Sequence, residues 1–74
     1  MNPISEQMEV ILGVVRGRIE RGDSHDVIFD QISDVFGLSD PNGDRPIWFS
    51  RIIEGEMRDF ANKEGFWYAN SHAR

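Results

Sequence analysis

Apolar residues recur every three or four positions in three separate segments of the chain, and this spacing constrains the fold more than any other feature. A repeat near 3.6 residues places such side chains on one face of an α-helix, whereas a half-buried strand would need strict alternation. The predicted inward side chains are Ile4, Met8, Ile11, Leu12, Val15 and Ile19; then Ile28, Ile32, Val35 and Phe36, with Phe29 at the margin; and then Phe49, Ile53, Met57 and Phe60. The sequence therefore predicts an all-α fold, a small domain of three helices.

Residues that end or begin helices separate the first two of these segments. Gly22 follows the first segment, which ends at Arg21, and Ser24 offers a side-chain oxygen to the start of the second helix. We expect the second helix to run from about Ser24 to Phe36 and to stop at Gly37. Because the intervening turn is short, the first two helices should be antiparallel neighbours.

A surface loop is predicted between the second and third helices. Positions 38–46 combine Pro, Asn, Gly and Asp, which favour turns and cannot continue either helix. Asp44 is predicted to cap the third helix, with Pro46 in its first turn and Gly65 at its end. The residues after Gly65 would form an aromatic C-terminal tail, and residues 1–74 a single helical domain.

The size of the chain leaves little room for a core. Its 74 residues are near the lower limit for a stable single domain, and without cysteine neither a disulfide nor a thiolate-bound metal can add stability. Burial against a second copy or a larger partner is therefore a natural supplement, and a homodimer is one such arrangement.

Charge and hydropathy indicate where the chain works and with what. No apolar run reaches the length of a membrane span, and the first residues lack the basic start of a secretory signal, so we expect a soluble cytoplasmic protein. The net charge of −5 disfavours direct contact with nucleic acid, since such affinity comes mainly from Lys and Arg. A basic protein surface, for example on a nucleic-acid-handling complex, is the more natural partner.

Six aspartates and no Lys or Arg lie between positions 23 and 44. On a helix, Asp26, Asp30 and Asp34 would share one face about 6 Å apart along the axis, where like charges repel by a few tenths of a kcal/mol per pair. Three interpretations follow: a solvated face, a cation site, or an anionic row for Arg and Lys of a partner, including imitation of a nucleic-acid backbone.

The loop also begins like a calcium-binding loop, because oxygen-bearing side chains alternate from Asp40 to Asp44. The pattern then departs from that motif: Arg45 stands where the turn needs glycine, and Arg51 where a bidentate glutamate is needed. We interpret the segment as an Asx-type turn and helix cap, and predict neither a metal nor a cofactor. Asp40 and Asp44 join the row on the second helix as predicted partner-binding residues.

A second, narrow apolar face lies opposite the main face of the first helix. It consists of Val10, Gly13, Val14 and Gly17, with the two glycines four residues apart. Such a pair lets another backbone approach closely, although each glycine costs a helix about 1 kcal/mol relative to alanine. The face predicts either packing against the third helix or self-association.

Three aromatic residues are candidate anchors for a partner. Trp48 lies off the main face of the third helix, while Trp67 and Tyr68 lie close to the end of the sequence. Aromatic side chains are enriched among interface hot spots, but a small domain also needs its rings for the core. The core interpretation is the stronger one for Trp48.

Catalytic motifs are missing from the sequence. There is no cysteine, His25 and His72 lack metal-binding spacing, and no glycine-rich phosphate-binding loop occurs. We interpret His25, at the start of the second helix, as a capping or surface residue. The chain is therefore predicted not to be an enzyme.

The stretch from Ile32 to Ser39 resembles the first helix and turn of helix-turn-helix DNA-binding domains, in which an apolar helix ends in Gly-Leu-Ser. The resemblance implies that the third helix would be the recognition helix. The sequence departs from that pattern because residues 40–45 separate the turn from this helix, and because Arg51 and Arg58 lie among acidic neighbours.

These features together predict a non-catalytic, acidic protein-binding module, an inhibitor or regulator that occupies a basic surface of a partner. By analogy of type, mobile genetic elements such as phages encode proteins of this kind. Two alternatives stay open: a helical homodimer that serves as an assembly module, and a degenerate helix-turn-helix regulator that binds DNA.

Overall fold

A computed structural model describes the backbone of residues 5–72 and the side chains of residues 5–63. It contains three helices: α1 (Ser5–Arg21), α2 (His25–Val35) and α3 (Ile47–His72). The prediction of an all-α, three-helix fold is confirmed.

The contacts between α2 and α3 give the directions of the helices. His25 at the start of α2 contacts Ser50, whereas Asp34 near its end contacts Arg45, which precedes α3. The chain therefore reverses between α2 and α3. A short turn at residues 22–24 joins α1 to α2, and all three helices meet in one core.

All three helices contribute to the core, which is aliphatic except for one ring. Its fully or nearly fully buried hydrophobic side chains are Ile11, Val15 and Ile19 of α1, Ile28 and Ile32 of α2, and Phe49 and Ile53 of α3. Each was a predicted inward residue. Of the other predicted inward residues, Met8 and Leu12 are partly buried, Phe29, Phe36, Met57 and Phe60 pack partly buried against this core, and Ile4 lies outside the described residues.

The predicted inward position of Val35 is wrong, because its side chain is 71% exposed. The inner face of α2 is rotated toward Phe29, Ser33 and Phe36, and Ser33 is completely buried in place of Val35. Phe36 and Leu38, which follow α2, pack partly buried against the core.

Two glycines end α1 and α2 in the same way. At the end of α1, Gly22 has a φ of 95° and donates its N–H to the carbonyl oxygen of Ile19 at 3.0 Å. The N–H of Asp23 donates to the carbonyl oxygen of Arg18, also at 3.0 Å. This paired arrangement is the Schellman motif, in which a left-handed residue satisfies the last carbonyls of a helix.

The same motif ends α2. Gly37 has a φ of 64° and donates to Asp34, and the N–H of Leu38 donates to Ser33 at 2.8 Å. Ser24 caps the start of this helix by accepting a hydrogen bond from the N–H of Val27. The predicted start and end of the second helix are therefore confirmed.

The loop after α2 is organised around one carboxylate. Oδ1 of Asp40 accepts hydrogen bonds from the N–H groups of Asn42 and Asp44, both at 2.9 Å. The carbonyl oxygen of Asp40 accepts a hydrogen bond from the N–H of Gly43, whose φ of 87° suits glycine. The N–H of Asp40 in turn donates to the carbonyl oxygen of Asp44. The Asx-type turn is thus confirmed.

Two predicted ends of α3 are wrong. Pro46 rather than Asp44 stands at the cap, since its carbonyl oxygen accepts the first helical bonds from Phe49 and Ser50, while the backbone of Asp44 is committed to the turn. Gly65 does not end α3, which continues to His72. A glycine inside a helix costs only about 1 kcal/mol relative to alanine, so it need not stop one.

Candidate protein-binding surface

The three aspartates of α2 lie on its outer face. Side-chain exposure is 95% for Asp26, 60% for Asp30 and 64% for Asp34. This row is continued by the exposed Asp40 and Asp44 of the following loop. We call these five residues the acidic surface.

An arginine of the loop lies against the acidic surface, a contact that sequence reasoning missed. Nε of Arg45 is 3.2 Å from Oδ1 of Asp30, and Nη2 is 3.6 Å from Oδ2 of Asp34. The group Nε makes no hydrogen bond within the described residues, so the contact is an ion pair. One guanidinium therefore offsets the repulsion between two carboxylates on successive turns, which explains how α2 tolerates the row.

His25 joins α2 to α3, rather than capping a helix or lying free on the surface. Its Nε2 is 2.9 Å from Oγ of Ser50, its Nδ1 is 3.2 Å from Oδ1 of Asp26, and its ring lies 5.7 Å from that of Phe29. Only the three-dimensional structure could reveal this contact, because residues 25 and 50 are distant in sequence.

The Asp-His-Ser order of these bonds resembles that of acyl-transfer sites, but the surroundings differ. Asp26 is solvent-exposed rather than a buried partner that orients the imidazole. The N–H of Ser50 donates to the carbonyl oxygen of Pro46 at 3.4 Å, so it is not free to stabilise an oxyanion. The arrangement serves as a polar link between two helices.

A cleft of about 380 Å³ lies where the α2–α3 loop meets the start of α3. Its apolar walls are Leu38, Pro41, Pro46 and Trp48. Its polar wall comprises Ser39, Asp40, Asp44 and Arg45. The loop half of the acidic surface therefore borders an apolar depression.

The predicted anchor Trp48 contributes both to the core and to this cleft. Its ring is 5.8 Å from that of Phe49 and packs partly buried against the core, and the same residue lines the cleft. The side chains of Trp67 and Tyr68, the other predicted anchors, lie outside the described residues.

The cations of α1 are engaged within the chain. Arg16 pairs with Glu56 of α3, and Arg21 donates to Asp23 at 2.5 and 3.1 Å. Arg18 donates to Gln31 at 2.7 Å and also approaches Asp23. The hydrogen bond from Arg21 holds the pKa of Asp23 below its ordinary value.

The narrow face predicted on α1 divides in the structure. Val14 packs against the core, whereas Val10 is 56% exposed. A Cβ added at Gly13 or Gly17 would meet no atom within 4 Å, so the glycine pair does not serve to pack α1 against α3. This part of α1 is an open face.

The DNA-binding geometry implied by the resemblance is only partly present. Arg51 and Arg58 are exposed on α3, but residues 36–46 separate α2 from α3. A helix-turn-helix joins its helices by only three or four residues. The longer loop places α3 differently from a recognition helix.

Among residues 5–63, no group of three or more potential metal-binding side chains comes together. None of the helices, over the part of the chain that the structure describes, has the length and apolar character of a membrane span. Comparison with protein-family models, characterised proteins and solved structures finds no match to this chain.

Proposed function

We propose that this protein is a non-catalytic, acidic protein-binding module, an inhibitor or regulator that docks on a basic surface of a partner protein. The observation that carries the proposal is the acidic surface itself. Asp26, Asp30 and Asp34 project outward from α2, and Asp40 and Asp44 extend the row onto an ordered loop.

The charge within the acidic surface is only partly compensated. Arg45 pairs with Asp30 and Asp34, so its one guanidinium compensates two of the five carboxylates. Among the described residues, no Lys or Arg pairs with Asp26, Asp40 or Asp44. Such a surface attracts Arg and Lys side chains of a partner and speeds association most strongly at low salt.

The loop presents its carboxylates in a fixed arrangement. The Asx turn, the left-handed Gly43 and the ion pairs of Arg45 all restrict its backbone before any partner binds. Restriction before binding reduces the entropy that association would otherwise remove. The domain can therefore offer charge in a defined geometry without a catalytic site.

The test is capture of proteins from a cell extract with the wild type and two matched variants. In the first, Asp26, Asp40 and Asp44 become Asn; Asn at position 40 keeps an oxygen for the Asx turn. In the second, Glu6, Glu9 and Glu20 of α1 become Gln, which changes the net charge equally at exposed positions.

A basic protein retained by the wild type and by the α1 variant, but lost from the Asp variant, would support the proposal. Its affinity should also fall as salt rises. Equal retention by both variants would mean that overall charge or another surface is responsible, and the acidic surface would be rejected as the binding site.

Self-association through α1 is a second candidate function, favoured by the open face at Val10, Gly13 and Gly17. A second copy of α1 could approach there because, among the described residues, no side chain fills the space. This candidate predicts a mass by light scattering that increases with concentration, and Gly13→Leu should abolish the increase. A monomer at every concentration would eliminate it.

A further inference from the structure

The cleft at the α2–α3 loop combines apolar walls with the carboxylates of Asp40 and Asp44. Its volume of about 380 Å³ falls in the lower part of the range of roughly 300–1,000 Å³ typical of ligand sites. The smaller cleft between α1 and α3, about 180 Å³, is bordered by the Arg16–Glu56 ion pair. The loop cleft is therefore the better candidate for an occupant.

Two strongly exposed apolar side chains lie close in sequence to residues that line this cleft. Val35 and Ile47 are 71% and 70% exposed, the highest values among the large hydrophobic residues of the described chain. In sequence they adjoin the cleft-lining segments, Val35 just before Gly37 and Ile47 between Pro46 and Trp48. An exposed apolar group with a polar rim is typical of a protein interaction site.

The polar groups of the cleft indicate the chemistry of the occupant. Asp40 and Asp44 line it without a cationic partner among the described residues, while Arg45 is turned to α2. The polar wall of the cleft therefore carries two carboxylates that suit Lys or Arg of an occupant.

We propose that the cleft receives one large apolar side chain of the partner protein, presented on a segment whose neighbouring Lys or Arg residues meet Asp40 and Asp44. This inference rests on the proposed function, and it assigns the anchor of the interface and the type of segment that binds. The apolar walls supply burial, and the two carboxylates supply charge complementarity.

The test uses two short synthetic peptides that differ in one residue: an Arg-rich peptide with a single central Phe, and the same peptide with Ser in its place. Binding is followed by NMR through the indole N–H resonance of Trp48. The chain has two tryptophans, so the resonance that remains in the Trp67→Phe variant is that of Trp48. We expect the Phe peptide to shift this resonance and to bind roughly tenfold to a hundredfold tighter, as expected for burial of one large apolar side chain.

Removal of charge is the second part of the test. Asp40→Asn together with Asp44→Asn should weaken binding of the Phe peptide. Glu6→Gln together with Glu9→Gln on α1 should leave that binding unchanged. Free phenylalanine amide should bind far more weakly than the peptide. If it binds equally well, the cleft is a site for small molecules and the proposal is overturned.

Two further results would overturn the inference in different ways. If the two peptides bind equally well and the Trp48 resonance does not shift, the interface is electrostatic and does not include the cleft. The inference would then be rejected, and the proposed function would survive. No binding of either peptide would reject the cleft, and the capture experiment with the three-residue Asp variant would decide the proposed function separately.

Discussion

Replacement of Arg45 by Met tests whether the ion pairs on α2 stabilise the fold. Methionine keeps an unbranched apolar side chain in place of the arginine stem and removes the guanidinium that lies 3.2 Å from Asp30 and 3.6 Å from Asp34. We expect the substitution to lower the free energy of unfolding, because it leaves two carboxylates on successive turns without a counterion.

The size of the effect follows from the exposure of the partners. Both carboxylates are more than half exposed, so each contact belongs to the class of surface ion pairs worth about 0.2–1 kcal/mol. Two such contacts and a few tenths of a kcal/mol of renewed repulsion give a loss of about 1 kcal/mol. In a domain of this size, that corresponds to a fall in Tm of about 4–8 °C.

The assay is urea unfolding followed by circular dichroism, since urea, unlike guanidinium, leaves charges unscreened. The same substitution is made in a background with Asp30→Asn and Asp34→Asn, where it should have almost no effect. At about 1 M salt the loss in the wild-type background should shrink, because the screening length falls to about 3 Å. An equal loss in both backgrounds would refute the reasoning and assign the role of Arg45 to packing of its stem.

Four further substitutions test particular local features. Ser33→Ala should be neutral or raise stability by up to about 1 kcal/mol in urea unfolding, because the buried hydroxyl of Ser33 has no partner; a loss would show that the hydroxyl is bonded. Gly17→Ala should stabilise a monomer by about 1 kcal/mol, since an added Cβ meets open space, whereas an unchanged or lower melting temperature would contradict this. The depressed pKa of Asp23 contributes stability that is present above its ordinary pKa of 3.8 and is lost as pH falls through the pKa of the folded state. Asp23→Asn should therefore lower the free energy of unfolding at pH 7, and it should reduce the dependence of that free energy on pH in acid. Asp40→Ala should broaden or shift the amide resonances of the loop more than Asp40→Asn, which keeps the acceptor oxygen, and equal effects would contradict the Asx turn.

The helices could be predicted because their signals are local. The spacing of apolar residues and the positions of the glycines were enough to predict where α1 and α2 end. At both ends a glycine, Gly22 or Gly37, adopts the left-handed conformation that a Schellman motif requires. The rotation of α2 could not be predicted, because Val35 and Ser33 both border the apolar face and only the packing of Phe36 and Leu38 decides between them. Tertiary contact overrides hydropathy at such margins.

The acidic surface was predictable and its counterion was not. The row of Asp26, Asp30 and Asp34 follows from helical spacing alone, but the contact with Arg45 depends on how the loop folds back. The same holds for the bond between His25 and Ser50, which joins residues from different helices. Pairings across a loop carry no periodic signal in a single sequence.

If the proposed partner binds at Asp30 and Asp34, the intramolecular pairing of Arg45 makes its recruitment an exchange reaction. Because this guanidinium is tethered to the same chain, it competes with an effective concentration of millimolar order or higher. An isolated lysine or arginine displaces it only at concentrations above that value, whereas a partner that engages several carboxylates at once would displace it at lower concentration. Binding of such a partner and release of the loop from α2 would favour each other. Any change that weakens the contact of Arg45 with Asp30 and Asp34 would therefore raise their affinity for the partner, by the same factor by which the bound partner favours release of the loop.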